Sequence, residues 1–120
     1  MISMRQNEVW LIDLNPTVGA EIKKIRPVVI VSDNSLGKLP LKVIVPITDW
    51  KERYKIAPWM VKIIADNKNG LSKDSTADCF QMRSVSHVRF VRKIGEASLT
   101  VMDEIRLALS KVLSISNEPL

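Results

Sequence analysis

The chain carries one histidine, His87, and one cysteine, Cys79, and neither stands in a spacing that would build a zinc cage or a His-His metal pair. Its four glycines, Gly19, Gly37, Gly70 and Gly95, lie far apart, so no glycine-rich phosphate loop ending in Lys-Ser or Lys-Thr occurs. No Gly-x-Ser-x-Gly elbow presents a serine either. An enzyme with this inventory uses neither a metal cage nor an obvious activated nucleophile. Cleavage of an RNA backbone suits it, because the substrate's own 2′-hydroxyl attacks the adjacent phosphorus. The protein then has to orient the phosphate, stabilise charge on the non-bridging oxygens and assist proton transfer. Those tasks are open to Arg, Thr, Gln and a carboxylate.

A second pattern bears on nucleic acid. The segment from Asp49 to Lys55 reads Asp-Trp-Lys-Glu-Arg-Tyr-Lys and interleaves aromatics with cations. Trp50 and Arg53 are of the types that stack bases and neutralise a phosphate backbone. The same aromatics also suit a loop anchored to the body of the protein, and both readings stay open. His87, next to Ser86, is assigned a structural or surface role.

Eighteen Lys and Arg against thirteen Asp and Glu give a net charge of +5 and a pI near 9.6. Such a surface attracts polyanions, whether nucleic acid or an acidic protein partner, although the same excess also serves solubility. With 46% hydrophobic and 26% charged residues, the composition is that of a folded chain rather than a disordered one. A length of 120 residues suits one domain, expected over 1–115, with a loose tail at 116–120. The lone Cys79 excludes an intramolecular disulfide and suits a reducing compartment. With no run of roughly 18 apolar residues and no secretory start, the expected location is the cytoplasm, away from membranes.

Short β-type runs must position these groups. Glu8 to Asn15 sets Val9, Leu11 and Asp13 against Trp10, Ile12 and Leu14, a strand with much of both faces covered, before Asn15-Pro16 stops it. Pro27 to Val31 is a β-branched run and reads as a buried central strand. Lys42 to Thr48 is the third strand, with Pro46 suggesting a bulge or an edge. Trp59 to Ala65 and Thr76 to Met82 follow, joined through Asn69-Gly70 as a hairpin. Val88 to Ile94 is the sixth, with one wet face. From Ser98 the period changes: Met102, Ile105, Leu109 and Val112 form one stripe of an amphipathic helix, capped by Ser98 or Thr100 and packed on the sheet. Strands first and a helix last predict a mainly β fold, a small barrel or sandwich with a C-terminal α-helix.

The run Val9-Trp10-Leu11-Ile12-Asp13-Leu14-Asn15-Pro16-Thr17-Val18-Gly19-Ala20-Glu21, followed by Ile25-Arg26-Pro27-Val28-Val29-Ile30-Val31-Ser32, resembles the opening of MazF/PemK toxins. The resemblance continues through Leu41 to Thr48, Asn69 to Ser75, Gln81-Met82-Arg83-Ser84 and Arg89-Phe90. It implies an SH3-like small β-barrel of the CcdB/PemK kind that works as a homodimer. It also implies metal-independent cleavage of single-stranded RNA, without a cofactor, by a type II toxin silenced by a cognate acidic, MazE-like antitoxin.

Carried over position by position, the resemblance makes Arg26 and Thr48 the leading catalytic residues. Arg26 would hold the scissile phosphate and Thr48 would bond it or relay a proton. Pro27 biases Arg26 toward an extended backbone at a strand entrance. Glu21 matches an acid that acts as general base or positions the substrate. Lys23 and Lys24 stand where many relatives are Gly-rich, and as cations they are candidates for RNA contact. Gln81 and Arg83 are further RNA-contact candidates, one for base edges and one for phosphate. Some relatives carry an acid directly before the Gln, whereas this chain has Phe80. Asp78, two residues earlier, is expected to face solvent, with substitution for that acid as the lesser reading. A gyrase poison like CcdB and a non-catalytic nucleic-acid-binding barrel are the competing function classes.

Overall fold

The computed structural model describes residues 3–22 and 24–116. Seven strands, β1 (Glu8–Asp13), β2 (Ile25–Ile30), β3 (Leu41–Asp49), β4 (Met60–Ile63), β5 (Ser75–Asp78), β6 (Arg83–Ser86) and β7 (Phe90–Glu96), precede one helix, α1 (Leu99–Val112). They form an antiparallel sheet in the order β4-β5-β3-β2-β1-β7, with β6 also pairing with β3. The architecture is mainly β and barrel-like with a C-terminal helix, as the sequence implied, but strand pairing does not close the barrel between β4 and β7. The turn that follows β4 spans that opening, where the Glu96 N–H donates to the Lys68 carbonyl at 2.8 Å. A Cβ on Gly70 would lie 2.0 Å from the Ile94 carbonyl oxygen, and one on Gly95 2.4 Å from the Asn69 carbonyl carbon. Two glycines therefore let the turn and β7 approach backbone to backbone.

The central strands are apolar on both faces because each face covers its own core. Val9, Val29, Val45 and Ile47 enter one cluster, together with Met102 and Ile105 of α1. Trp10, Ile12, Val28, Ile30 and Ile44 enter the other, with Leu14 and Val85. Alternation along β1, β2 and β3 sorts these residues with period two. Each fully buried Val or Ile contributes about 1.5–3 kcal/mol.

The expected strand from Thr76 to Met82 is divided. β5 pairs with the end of β3, where Ile47 faces Ala77 and Thr48 faces Thr76, whereas β6 pairs with its beginning, where Lys42 faces Val85 and Ile44 faces Arg83. A short turn, Cys79–Gln81, separates them, capped by the Asp78 carboxylate, which accepts from the Phe80 N–H at 3.1 Å. Pro46 falls at this handover. The Val31 N–H donates to the Val43 carbonyl at 3.0 Å, so by alternation Pro46, opposite Val28, is at a non-bonded position of the β2–β3 ladder. Its missing donor faces the gap between β5 and β6. Proline is tolerated here by that gap, in a central strand rather than at the bulge or edge its presence suggested.

β7 begins at Phe90 rather than Val88, because His87–Arg89 make a 3₁₀ turn capped by Ser86. Val91, Arg92 and Lys93 are all exposed, so exposure is not confined to one face of the strand as expected. In α1 the fully buried residues are Met102, Ile105 and Ala108, so the stripe is turned slightly from the one expected and Leu109 packs at its border. Ser98 is the cap, accepting from the Val101 N–H at 3.1 Å. No described helix is long and apolar enough to cross a membrane.

Candidate functional site

The β2–β3 register pairs Val28 with Pro46 and Val29 with Val45. The ladder ends at Val28 and Pro46, and two residues further along each strand stand Arg26 and Thr48. Each is half-buried at a strand end. They line one cleft of about 410 Å³ with Asp49, Lys73 and Arg92. Lys73 and Asp49 pair at 3.0 Å, both largely exposed, so the pair adds little to stability. Three cations and one carboxylate among the lining residues make the cleft electropositive, as a phosphate requires.

Arg92 was not singled out in the sequence. It stands opposite Leu11 in the β1–β7 ladder, and Leu11 stands opposite Pro27, so pairing across three strands brings it level with Pro27, and it lines the same cleft as Arg26. Nothing local to β7 signals that.

A second cleft of about 550 Å³ reaches β3 at Pro46, next in the chain to Ile47 and Thr48 of the first. It is lined by Glu21, Ile22, Pro46, Phe80, Gln81 and Arg83, among others. Thus Arg26 and Thr48 share one cleft, while Glu21, Gln81 and Arg83 share its neighbour. The β1–β2 connection that carries Glu21 is closed at its neck, where the Leu14 N–H donates to the Lys24 carbonyl at 3.1 Å and the Lys24 N–H to Asn15 Oδ1 at 3.1 Å. Arg83 donates to the Leu14 carbonyl at 3.5 Å, and Arg89 donates to the carbonyls of Asp13 and Asn15. Both arginines therefore brace the loop. The Glu21 carboxylate accepts the Val18 N–H within its own turn and is exposed. Lys24 is exposed beside it, and Lys23 lies outside the described residues.

Gln81 is committed at both ends of its amide. Its Oε1 accepts from the Ile22 N–H at 2.7 Å and its Nε2 donates to Asp78 Oδ2 at 3.1 Å. Asp78 does not face solvent as expected: it is 5% exposed, at the point where β5 ends and the chain turns. Burial raises its pKa above the ordinary 3.8, against the hydrogen bonds from Phe80 and Gln81, which pull it down. Phe80 is outside the strand and exposed, with its ring edge-on to Trp59. Cys79 beside it is buried, and burial together with the Asp78 charge pushes its thiol up to about 12. That thiol is no nucleophile.

Trp50 and Arg53 do not line either cleft. The Trp50 indole N–H donates to Glu52, its ring meets Tyr54 edge-on, and the Lys62 ammonium lies 4.9 Å from its centroid. Arg53 stacks on Tyr54 at 5.1 Å. This cluster continues from the Asp49 end of the first cleft. His87 is exposed on another surface, its Nδ1 3.1 Å from the Pro40 carbonyl. No group of three or more His, Cys, Asp or Glu that could hold a metal ion comes together among the described residues.

Residues 5–113 match the family described as PemK-like, MazF-like toxin of type II toxin-antitoxin system. The chain is 30% identical to the Mycobacterium tuberculosis endoribonuclease MazF9, covering 93% of this chain and 98% of that protein. It is 34% identical to the endoribonuclease MazF of Staphylococcus epidermidis, covering 95% and 94%. Among solved structures, MazF from Deinococcus radiodurans superposes with a TM-score of 0.81 at 22% identity, covering 96% of this chain and all of that one. A mycobacterial endoribonuclease in complex with its cognate antitoxin superposes with a TM-score of 0.76 at 18% identity, covering 97% and 100%. At those identities the structural likeness speaks for the fold, and the sequence matches speak for the family. The chain belongs to the PemK-like, MazF-like toxins of type II toxin-antitoxin systems.

Proposed function

We propose that the protein is the toxin of its toxin-antitoxin pair, a metal-independent endoribonuclease that cuts single-stranded RNA at specific sequences. The observation that carries this reading is that Arg26 and Thr48, at adjoining strand ends, line one cleft where cations outnumber carboxylates. The substrate's 2′-oxygen attacks phosphorus as the bond from phosphorus to the 5′-oxygen breaks. Arg26, a planar fork matched to phosphate oxygens, takes up the developing charge. Thr48 bonds the same phosphate or relays a proton, and Glu21 accepts the 2′-hydroxyl proton or positions the strand. Lys23, Lys24, Trp50, Arg53, Gln81 and Arg83 contact the flanking RNA.

The enzyme acts as a homodimer in the cytoplasm. Its partner is an acidic antitoxin, complementary to a chain of net charge +5. In long single-stranded RNA with EDTA, primer extension should map recurrent cuts at one short motif, lost in Arg26→Ala. Intact RNA across many sequences, or full activity in that variant, would defeat the reading in favour of a binding module.

A further inference from the structure

Besides the two arginines that brace its ends, the β1–β2 loop is held by a side chain, Gln81, whose orientation another residue dictates. Ile22 N–H can only donate and an ionised Asp78 carboxylate can only accept, so the Gln81 amide between them has a single satisfied orientation: Oε1 to Ile22 and Nε2 to Asp78. The bond to Ile22 fixes the peptide unit joining Glu21 to Ile22, and with it the direction in which Glu21 leaves the loop. Asp78 cannot swing away. It is buried, and its other oxygen is held by the Phe80 N–H of the turn that separates β5 from β6.

We infer that Asp78 is a positioning residue for RNA cleavage, acting through Gln81 to set the loop segment that carries Glu21 against the Arg26–Thr48 cleft. This rests on the ribonuclease reading for its consequence, but not for its geometry. Asp78 stands three positions ahead of Gln81 and reaches it across one turn. Gln81 thereby couples the loop to the handover in β3: Asp78 ends the strand that pairs with Thr48, and Pro46 lines the cleft in which Gln81 sits.

Asp78→Asn tests this while leaving the turn capped. The carboxamide oxygen of the variant still accepts from the Phe80 N–H, but its nitrogen now presents donors to Gln81 Nε2. Donor meets donor, and flipping Gln81 only moves the conflict to Ile22. Hydrogen exchange by NMR, without RNA, should show the Ile22 amide exchanging about tenfold faster in Asp78→Asn. Adding Gln81→Glu gives a carboxylate that accepts both from the new carboxamide at position 78 and from the Ile22 N–H, and should restore the protection. Unchanged exchange in the single variant, or no recovery in the double, overturns the latch. Should Asp78→Asn not fold, the wild-type protein decides: an Ile22 amide no better protected than Ala20 overturns it, and a clearly protected one sustains it. In cleavage assays Asp78→Asn should lower kcat about tenfold with KM within about twofold. An unchanged kcat with a released Ile22 would remove Asp78 from the reaction, whereas an active Arg26→Ala would instead fault the catalytic reading.

Discussion

Glu8 of β1 and Lys93 of β7 meet at 3.2 Å in an ion pair whose carboxylate is buried and whose ammonium reaches solvent. The same carboxylate accepts from the Arg5 N–H at 2.9 Å and the Trp10 indole at 3.0 Å. Burial pushes its pKa up, but these bonds and Lys93 outweigh it and leave the net value below the ordinary 4.5. A carboxyl group depressed in the folded state stabilises above its unfolded pKa and loses that contribution as pH falls through the folded value. The melting temperature should therefore fall on acidification below about pH 4.5. Glu8→Gln should cost about 1–3 kcal/mol at pH 7 and flatten this slope. An unaltered acid slope would count against Glu8.

Asp78 titrates with the opposite sign. Its folded pKa is raised, so whatever it contributes is present below the unfolded value and lost as pH rises through the folded one. The melting temperature of Asp78→Asn relative to wild type should rise across that interval, even though its loop amide exchanges faster. A variant that falls further behind wild type as pH rises would contradict the burial argument.

Thr48→Val keeps a β-branched strand residue and removes the hydroxyl. It should lower kcat by about 10²-fold or more while stability holds within about 1 kcal/mol, since both residues are β-branched strand formers. Arg26→Lys keeps the charge without the fork and should fall between wild type and Arg26→Ala. Equal activity in Arg26→Lys and wild type would mean that charge alone suffices.

Arg92 lines the cleft with Arg26 and Lys73. RNA affinity should weaken with salt, and Arg92→Gln should reduce the slope of log affinity against log salt by about 0.7, the value of one phosphate contact on a single strand. The same slope in both proteins would place Arg92 off the RNA path.

Gly95→Ala should destabilise by about 1–3 kcal/mol or more, because the new methyl group meets backbone rather than a yielding side chain. Unfolding in urea measures it, and a neutral result would mean that the turn after β4 can retreat from β7.

The sequence showed the core strands because Val28 to Val31 and its neighbours are apolar without interruption, as strands covered on both faces must be. Ser98 as helix cap was equally plain. The break at Asp78 was hidden among Ala77, Cys79 and Met82, a run that reads as one strand; the turn depends on a carboxylate folding back on the Phe80 N–H, a local competition that hydrophobic pattern does not register. For the same reason Asp78 was expected in solvent, where an unpaired carboxylate belongs by default. Arg26 and Thr48 were marked by family resemblance, and only the fold shows them lining one cleft. Arg92 needs the register of two ladders, which no single segment contains.

A strand with a proline inside it lacks one rung, and β3 lacks the rung at Pro46. On that side the chain beside β3 ends one strand, turns and begins another, so no neighbour's carbonyl is left waiting for the absent donor. The slot left over holds Phe80, Gln81 and Met82 at its wall. One missing hydrogen in the covalent structure thus coincides with a recess in an otherwise continuous sheet, and the β1–β2 loop lies along it through Ala20, Glu21 and Ile22.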